Sequence, residues 1–72
     1  MRNKVRFKRY NSISNEVEYS EWIEYEYKSE NENHVSKWKA FHAWTEKSKW
    51  GRVGSKKWGR YSSPLEIDNV KI

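Results

Sequence analysis

Two sets of residues alternate along residues 16 to 27, one rich in apolar side chains and the other rich in glutamate. Such a period of two is typical of a β-strand with one buried face. The first set, predicted to be buried, is Val17, Tyr19, Glu21, Ile23, Tyr25 and Tyr27, and the second, predicted to meet solvent, is Glu16, Glu18, Ser20, Trp22, Glu24 and Glu26. A shorter alternation surrounds Val5 and Phe7, after which the sequence turns polar. We predict that residues 3 to 10 and 16 to 28 form an antiparallel hairpin.

The period changes in residues 32 to 47, where the larger side chains recur at helical spacing. One stripe of this predicted helix carries Val35, Trp38, Phe41, His42 and Thr45. Trp38 and Phe41 are the predicted core residues of the stripe. After Pro64, residues 65 to 72 predict a last strand with a bulge near Asp68 and Asn69. The predicted fold is α+β, a small three-stranded antiparallel sheet with one packed helix in the order β-β-α-β.

The length of 72 residues predicts a single small domain, residues 1 to 72. A domain of this size buries only about 60% of the surface of its unfolded chain, so its core is thin. The absence of cysteine excludes disulfides and thiolate metal sites. Because 17% of the residues are aromatic, we expect Trp and Tyr to form the core. The sequence has no apolar run of the kind that forms a membrane span or a signal peptide. We therefore expect a cytoplasmic protein without a membrane partner.

The net charge of +5 is unevenly distributed along the chain. In the first half, Lys4, Arg6 and Lys8 are expected to pair with Glu18, Glu24 and Glu26 on one side of the hairpin. Residues 35 to 61, by contrast, carry eight lysines and arginines and a single carboxylate, that of Glu46. The unpaired positive charge therefore belongs to the helix and to the segment that follows it.

A short duplication lies in that segment, because the sequence Lys-Trp-Gly-Arg occurs at residues 49 to 52 and again at 57 to 60. We call residues 47 to 61 the basic loop. Clustered cations and rings are typical of nucleic-acid binding, in which cations contact phosphates and rings stack on bases. The candidate binding residues are Lys47, Lys49, Trp50, Arg52, Lys56, Lys57, Trp58, Arg60 and Tyr61. The alternative is that Trp50 and Trp58 cover a small core and leave the cations as a solvated rim.

A second hypothesis is an interaction protein that docks on a host protein or enzyme through Trp22, Trp50 and Trp58. Trp22 falls on the glutamate side of its strand, where an exposed tryptophan suggests a contact site. The alternatives are a sheet covered on both sides and a bulge that turns Trp22 inward. In length and element order the chain resembles small tailed-phage proteins that bind and inhibit host enzymes. That resemblance implies a phage-type inhibitor without assigning it any site residue.

No catalytic motif accompanies these features, so we do not expect an enzyme. His34 and His42 are eight residues apart, which is not the spacing of a helical metal pair, and no cofactor or small-molecule substrate is predicted. An exposed edge strand at residues 3 to 10 or 65 to 72 would permit pairing into a dimer, but lysine commonly blunts such edges, so the oligomeric state is left open. The sequence therefore predicts a binding domain, with nucleic acid as the leading partner and a host protein as the alternative.

Overall fold

The computed structural model describes residues 1–72 and has the predicted α+β architecture. One helix packs on one face of an antiparallel sheet, and the sheet has one more strand than predicted. The elements are β1 (Arg2–Asn11), β2 (Glu16–Tyr19), β3 (Ile23–Glu26), α1 (Glu30–Lys47), a 3-10 turn (Lys56–Trp58) and β4 (Leu65–Lys71). The element order is therefore β-β-β-α-β.

The first strand, β1, is the centre of the sheet and pairs antiparallel with all three other strands. Along one side, its residues 8 to 11 pair with β2 and its residues 2 to 5 pair with β3. Along the other side it pairs with β4. The strands β2 and β3 are thus successive pieces of one edge, which corresponds to the single strand predicted over residues 16 to 28.

A one-residue bulge separates β2 from β3. Lys8 faces Tyr19 and Val5 faces Ile23, so two residues of β1 lie opposite three residues of the edge strand. Because side chains alternate with a period of two, one extra residue exchanges the two faces of a strand. Ile23 and the residues at alternate positions after it are buried as predicted, but Val17 and Tyr19 are exposed on the opposite face. Their predicted burial was wrong for this reason.

Ser20 stabilises the bulge by bonding the backbone of Phe7 in both directions. The Ser20 amide donates to the Phe7 carbonyl at 2.8 Å, and the Phe7 amide donates to the Ser20 hydroxyl at 2.8 Å. The same hydroxyl donates to the Glu21 carbonyl at 2.9 Å. Ser20 is buried, so the side chain replaces the ladder bond that the bulge removes.

We predict that Ser20→Ala lowers the free energy of unfolding by about 1–3 kcal/mol, because the buried Phe7 amide loses its acceptor. Urea denaturation followed by circular dichroism measures the change. Ser14→Ala is the matched control, since Ser14 is an exposed turn residue. Equal stability of the two variants would show that the Ser20 hydroxyl does not hold the bulge.

The core lies between the sheet and α1 and consists largely of rings, as predicted. Its buried members are Val5, Phe7, Ile23, Tyr25, Tyr27, Phe41, Trp50 and Trp58. The ring of Phe7 lies 4.3 Å from that of Phe41 and 5.1 Å from that of Trp38, measured between centroids. The predicted core positions Trp38 and Phe41 are thus confirmed. Of the other stripe residues, Thr45 is buried, whereas Val35 and His42 are exposed.

The last strand carries an irregularity at Ile67, one residue before the predicted position, because Arg6 faces Asp68 while Phe7 faces Glu66. Leu65 and Val70 lie on the side of the sheet that α1 does not cover, and both are exposed. We call that side the open face. No helix in the structure has the length and apolar character needed to cross a membrane.

Candidate nucleic-acid interface

The basic loop folds back against the end of β1 instead of extending into solvent. The Ser12 amide donates to the Arg60 carbonyl at 2.9 Å, and Tyr61 pairs with Asn11 as an isolated bridge. The Ser62 amide then donates to the Tyr10 carbonyl at 2.8 Å. These bonds extend the sheet by a few residues and hold the loop beside it.

Trp50 and Trp58 are buried at the end of the core, with 7% and 6% of their surface exposed. Their rings meet edge to face at 5.7 Å, and the Trp58 indole donates from Nε1 to the Gly51 carbonyl at 3.0 Å. The two rings therefore have little free surface for the predicted stacking on bases. The alternative, in which both cover a small core, is what the structure shows, because the chain has few aliphatic side chains to do so.

The two Lys-Trp-Gly-Arg units are not structural repeats. Gly51 has a φ of +73°, the left-handed conformation that glycine accepts readily, whereas Gly59 has a φ of −55°. A Cβ atom on Gly51 would also lie 3.0 Å from Cδ of Lys57. What the two units share is the burial of their tryptophans and the exposure of their cations.

Arg9 is the buried residue around which the loop is built, and it is not among the site residues predicted from the sequence. Its guanidinium lies 4.3 Å from the Trp50 centroid, 4.6 Å from that of Trp58 and 3.7 Å from that of Tyr61. Its Nε donates to Glu18 at 2.9 Å. Arg9 falls on the same alternating positions of β1 as the buried residues Val5 and Phe7, so the alternation in the sequence predicts that Arg9 is buried as well.

A cleft of about 310 Å³ opens beside this stack of rings, and we call it the basic cleft. Its lining residues are Arg9, Lys49, Trp50, Lys56, Lys57, Arg60 and Tyr61. None of them carries a carboxylate. On the other side of Lys56 and Lys57, a wider hollow of about 570 Å³ includes Arg52 and also Glu46. Six of the nine predicted residues therefore line the basic cleft, whereas Lys47 is exposed and lines neither the cleft nor the hollow.

The cations of the basic loop are exposed, and none of them makes an ion pair. They are Lys47, Lys49, Arg52, Lys56, Lys57 and Arg60. Lys37 on α1 is an exception to the predicted excess of unpaired charge, because it pairs with Glu66. The predicted excess of positive charge is otherwise present at the loop, where Glu46 is the one acidic residue that lines either the cleft or the hollow.

The ion pairs of the first half differ from those predicted. Arg2 pairs with Glu24 at 2.9 Å, and Arg6 pairs with Asp68 at 2.5 Å. The bulge between β2 and β3 moves Glu18 to the helix side, where it meets Arg9. Lys8 consequently has no carboxylate partner, and Lys4 has none because Glu24, opposite it in the register, pairs with Arg2; both results are contrary to expectation.

Trp22 lies at the bulge and is 41% exposed. It contacts Lys4 and Arg6, two open-face residues whose charged groups lie 5.2 Å and 5.1 Å from its ring centroid. The bulge does not turn Trp22 into the core. Of the three tryptophans considered for protein docking, Trp22 alone is therefore accessible.

Comparison of the chain with protein-family models, with curated proteins and with solved structures gives no match. No relative therefore contributes a function, a partner or a set of site residues.

Proposed function

We propose that this domain binds nucleic acid in the cytoplasm through the basic cleft, by contacts of its cations with phosphates. The observation that carries the proposal is the convergence of Lys49, Lys56, Lys57 and Arg60 on one cleft without an acidic residue. Nucleic acid is the polyanion that such a cluster suits, since each neutralised phosphate releases condensed counterions. The mode of binding differs from the sequence-based hypothesis because Trp50 and Trp58 support the loop instead of stacking on bases.

The cations owe their positions to a rigid support beneath them. Arg9 lies among the rings of Trp50, Trp58 and Tyr61 and is bonded to Glu18. A second Arg9 bond runs from Nη1 to the Trp50 carbonyl at 3.4 Å. A loop held in this way loses less conformational entropy on binding than a free one. The cleft thus presents charge on a preformed surface.

Weak sequence preference follows from the same arrangement. Phosphate contacts position a protein on nucleic acid but carry no direct sequence information. The helix α1 packs on the sheet through Trp38 and Phe41, and the cleft lies in the loop after it. The cations of the basic cleft are therefore carried by a loop and not by an α-helix of the kind that common base-reading motifs place in the major groove.

We predict that Lys56→Ala combined with Lys57→Ala lowers affinity for duplex DNA about tenfold at physiological salt. The slope of log affinity against log salt becomes less steep by about 2, since each lost phosphate contact contributes about 0.9. Fluorescence anisotropy with a labelled duplex, repeated over a salt series, measures both quantities. Lys28→Ala combined with Lys39→Ala is the matched control. These two exposed lysines lie outside the basic cleft, and their loss gives the same change in net charge.

The control variant is expected to keep most of the affinity and the wild-type slope. Equal losses in the two double variants would mean that net charge, and not the basic cleft, governs binding. An unchanged slope after substitution of Lys56 and Lys57 would place the site elsewhere.

The alternative function is docking on a host protein, and the exposure of the Trp22 side chain favours it. A protein ligand gives a stoichiometric complex with modest salt sensitivity, because its binding energy concentrates in a few buried anchors. Capture from a nuclease-treated lysate, compared with capture by a Trp22→Ala variant, distinguishes this alternative. The burial of Trp50 and Trp58 removes the other two residues of that hypothesis.

A further inference from the structure

The open face combines exposed rings with unpaired cations on an uncovered side of the sheet. Tyr19 on β2 is 59% exposed, and Trp22 at the bulge is 41% exposed. Lys4, Arg6 and Lys8 come from β1, where residues two apart lie about 7 Å from each other on the same face. No element of the chain packs over these residues, since α1 lies on the other face.

The two rings share one patch, centred on Arg6. The Arg6 guanidinium lies 6.0 Å from the Tyr19 centroid and 5.1 Å from that of Trp22. Lys4 lies 5.2 Å from the Trp22 centroid, and Lys8 is directly opposite Tyr19 in the strand register. Cation–π contacts of this kind hold rings in place on a surface. The rings are therefore positioned before any partner arrives.

Two lysines of the patch make no ion pair, although Glu24, which pairs with Arg2, lies opposite Lys4 in the strand register. Arg6 is paired with Asp68, but Lys4 and Lys8 have no carboxylate partner. Lysine is depleted at protein–protein interfaces, where aromatic residues and arginine are enriched. Single-stranded nucleic acid, by contrast, needs both rings for its bases and cations for its phosphates. A second copy of this chain is disfavoured as an occupant because two such faces bring lysines together.

We propose that the open face binds single-stranded nucleic acid, with bases stacked on Tyr19 and Trp22 and phosphates held by Lys4 and Lys8. This inference rests on the proposed function and adds strand selectivity to it. The bases of a duplex are already stacked on each other, so their faces are not available to protein rings. The basic cleft, which contacts phosphates alone, binds single strands and duplexes. The open face favours the single strand.

The test is a Tyr19→Ala, Trp22→Ala double variant titrated with single-stranded DNA, RNA of the same sequence and duplex DNA, each of about 12 nucleotides per strand. Single-strand affinity is expected to fall about tenfold for each ring removed, while duplex affinity stays at the wild-type value. The salt slope is expected to stay unchanged, because no cation is lost. The DNA and RNA arms show which sugar the face accepts.

A Tyr19→Phe, Trp22→Phe double variant is the matched control and is expected to keep the single-strand preference, because phenylalanine still stacks. Ile13→Ala, at a 70% exposed position in the turn before β2, is expected to leave all affinities unchanged. Circular dichroism of each variant establishes that it is folded.

Several results would overturn the inference. Unchanged single-strand affinity in the alanine variant would refute it while leaving the basic cleft intact, provided that substitution of Lys56 and Lys57 still reduces the salt slope. An equal loss for single strands and duplexes would also refute it. Sedimentation that shows a dimer dissociated by Trp22→Ala would assign the face to a second copy. Failure of the wild-type protein to bind any of the three probes would refute the proposed function and this inference together.

Discussion

A Phe7→Ala variant is expected to lose a large part of its free energy of unfolding. Phe7 is fully buried at the centre of β1 and contacts Phe41 and Trp38 on α1. Truncation of such a phenylalanine costs about 3–5 kcal/mol in lost burial and cavity formation. A domain of this length has a total free energy of unfolding of roughly 4–11 kcal/mol, from a typical value per residue. Urea denaturation followed by far-ultraviolet circular dichroism measures the loss.

Phe7→Leu is the control because it keeps an apolar side chain in the same place. It is expected to cost less than about 1.5–2 kcal/mol, since much of the volume is retained. A Val35→Ala change on the exposed side of α1 is expected to have almost no effect. A Phe7→Ala protein as stable as the Val35→Ala protein would contradict the placement of the core between β1 and α1.

The second large effect is expected for Arg9→Ala, which lowers the free energy of unfolding by about 3 kcal/mol. The guanidinium is lost from between three rings, and the Glu18 carboxylate loses its partner. The ring cluster that supports the basic loop then has a void beneath it. Nucleic-acid affinity is therefore expected to fall as well, although Arg9 is mostly buried. The two measurements are urea denaturation and the duplex titration described above.

Two substitutions separate the roles of the Arg9 side chain. Arg9→Met keeps much of the packing and is expected to recover part of the stability, because apolar replacement of a buried charge is often tolerated. Glu18→Gln is expected to have a smaller effect than Arg9→Ala, since 38% of the Glu18 side chain is exposed and water compensates in part. Wild-type stability of Arg9→Ala would show that the arginine–ring stack is not structural.

The ring cluster thus links folding to binding in this domain. Trp50 and Trp58 close the end of the core, and Lys49, Lys56, Lys57 and Arg60 of the basic cleft each lie within two residues of one of them in the chain. A chain with few aliphatic residues and no cysteine has no other bulky groups for this purpose. Substitution of either tryptophan would therefore change stability and cleft geometry together, so the cations are the better targets for testing function.

The sequence by itself determined the class of the fold and the excess of positive charge in the basic loop. The alternation around Val5 and Phe7 and the helical spacing of Trp38 and Phe41 are local patterns, and local patterns specify strands, helices and their buried faces. The excess of cations in residues 47 to 61 is likewise a property of composition. This excess persists in the structure because only one acidic residue, Glu46, lies near these cations in the chain.

The tertiary structure decided the register of the edge strand and the burial of the loop tryptophans. The bulge at Ser20 depends on how β2 and β3 pair with β1, and one extra residue reverses which side chains face the helix. An aromatic ring suits a core and a binding surface equally well, so composition does not distinguish the two uses. Trp50 and Trp58 are buried because the end of a thin core needed covering, whereas Trp22 is exposed because the open face has nothing packed on it.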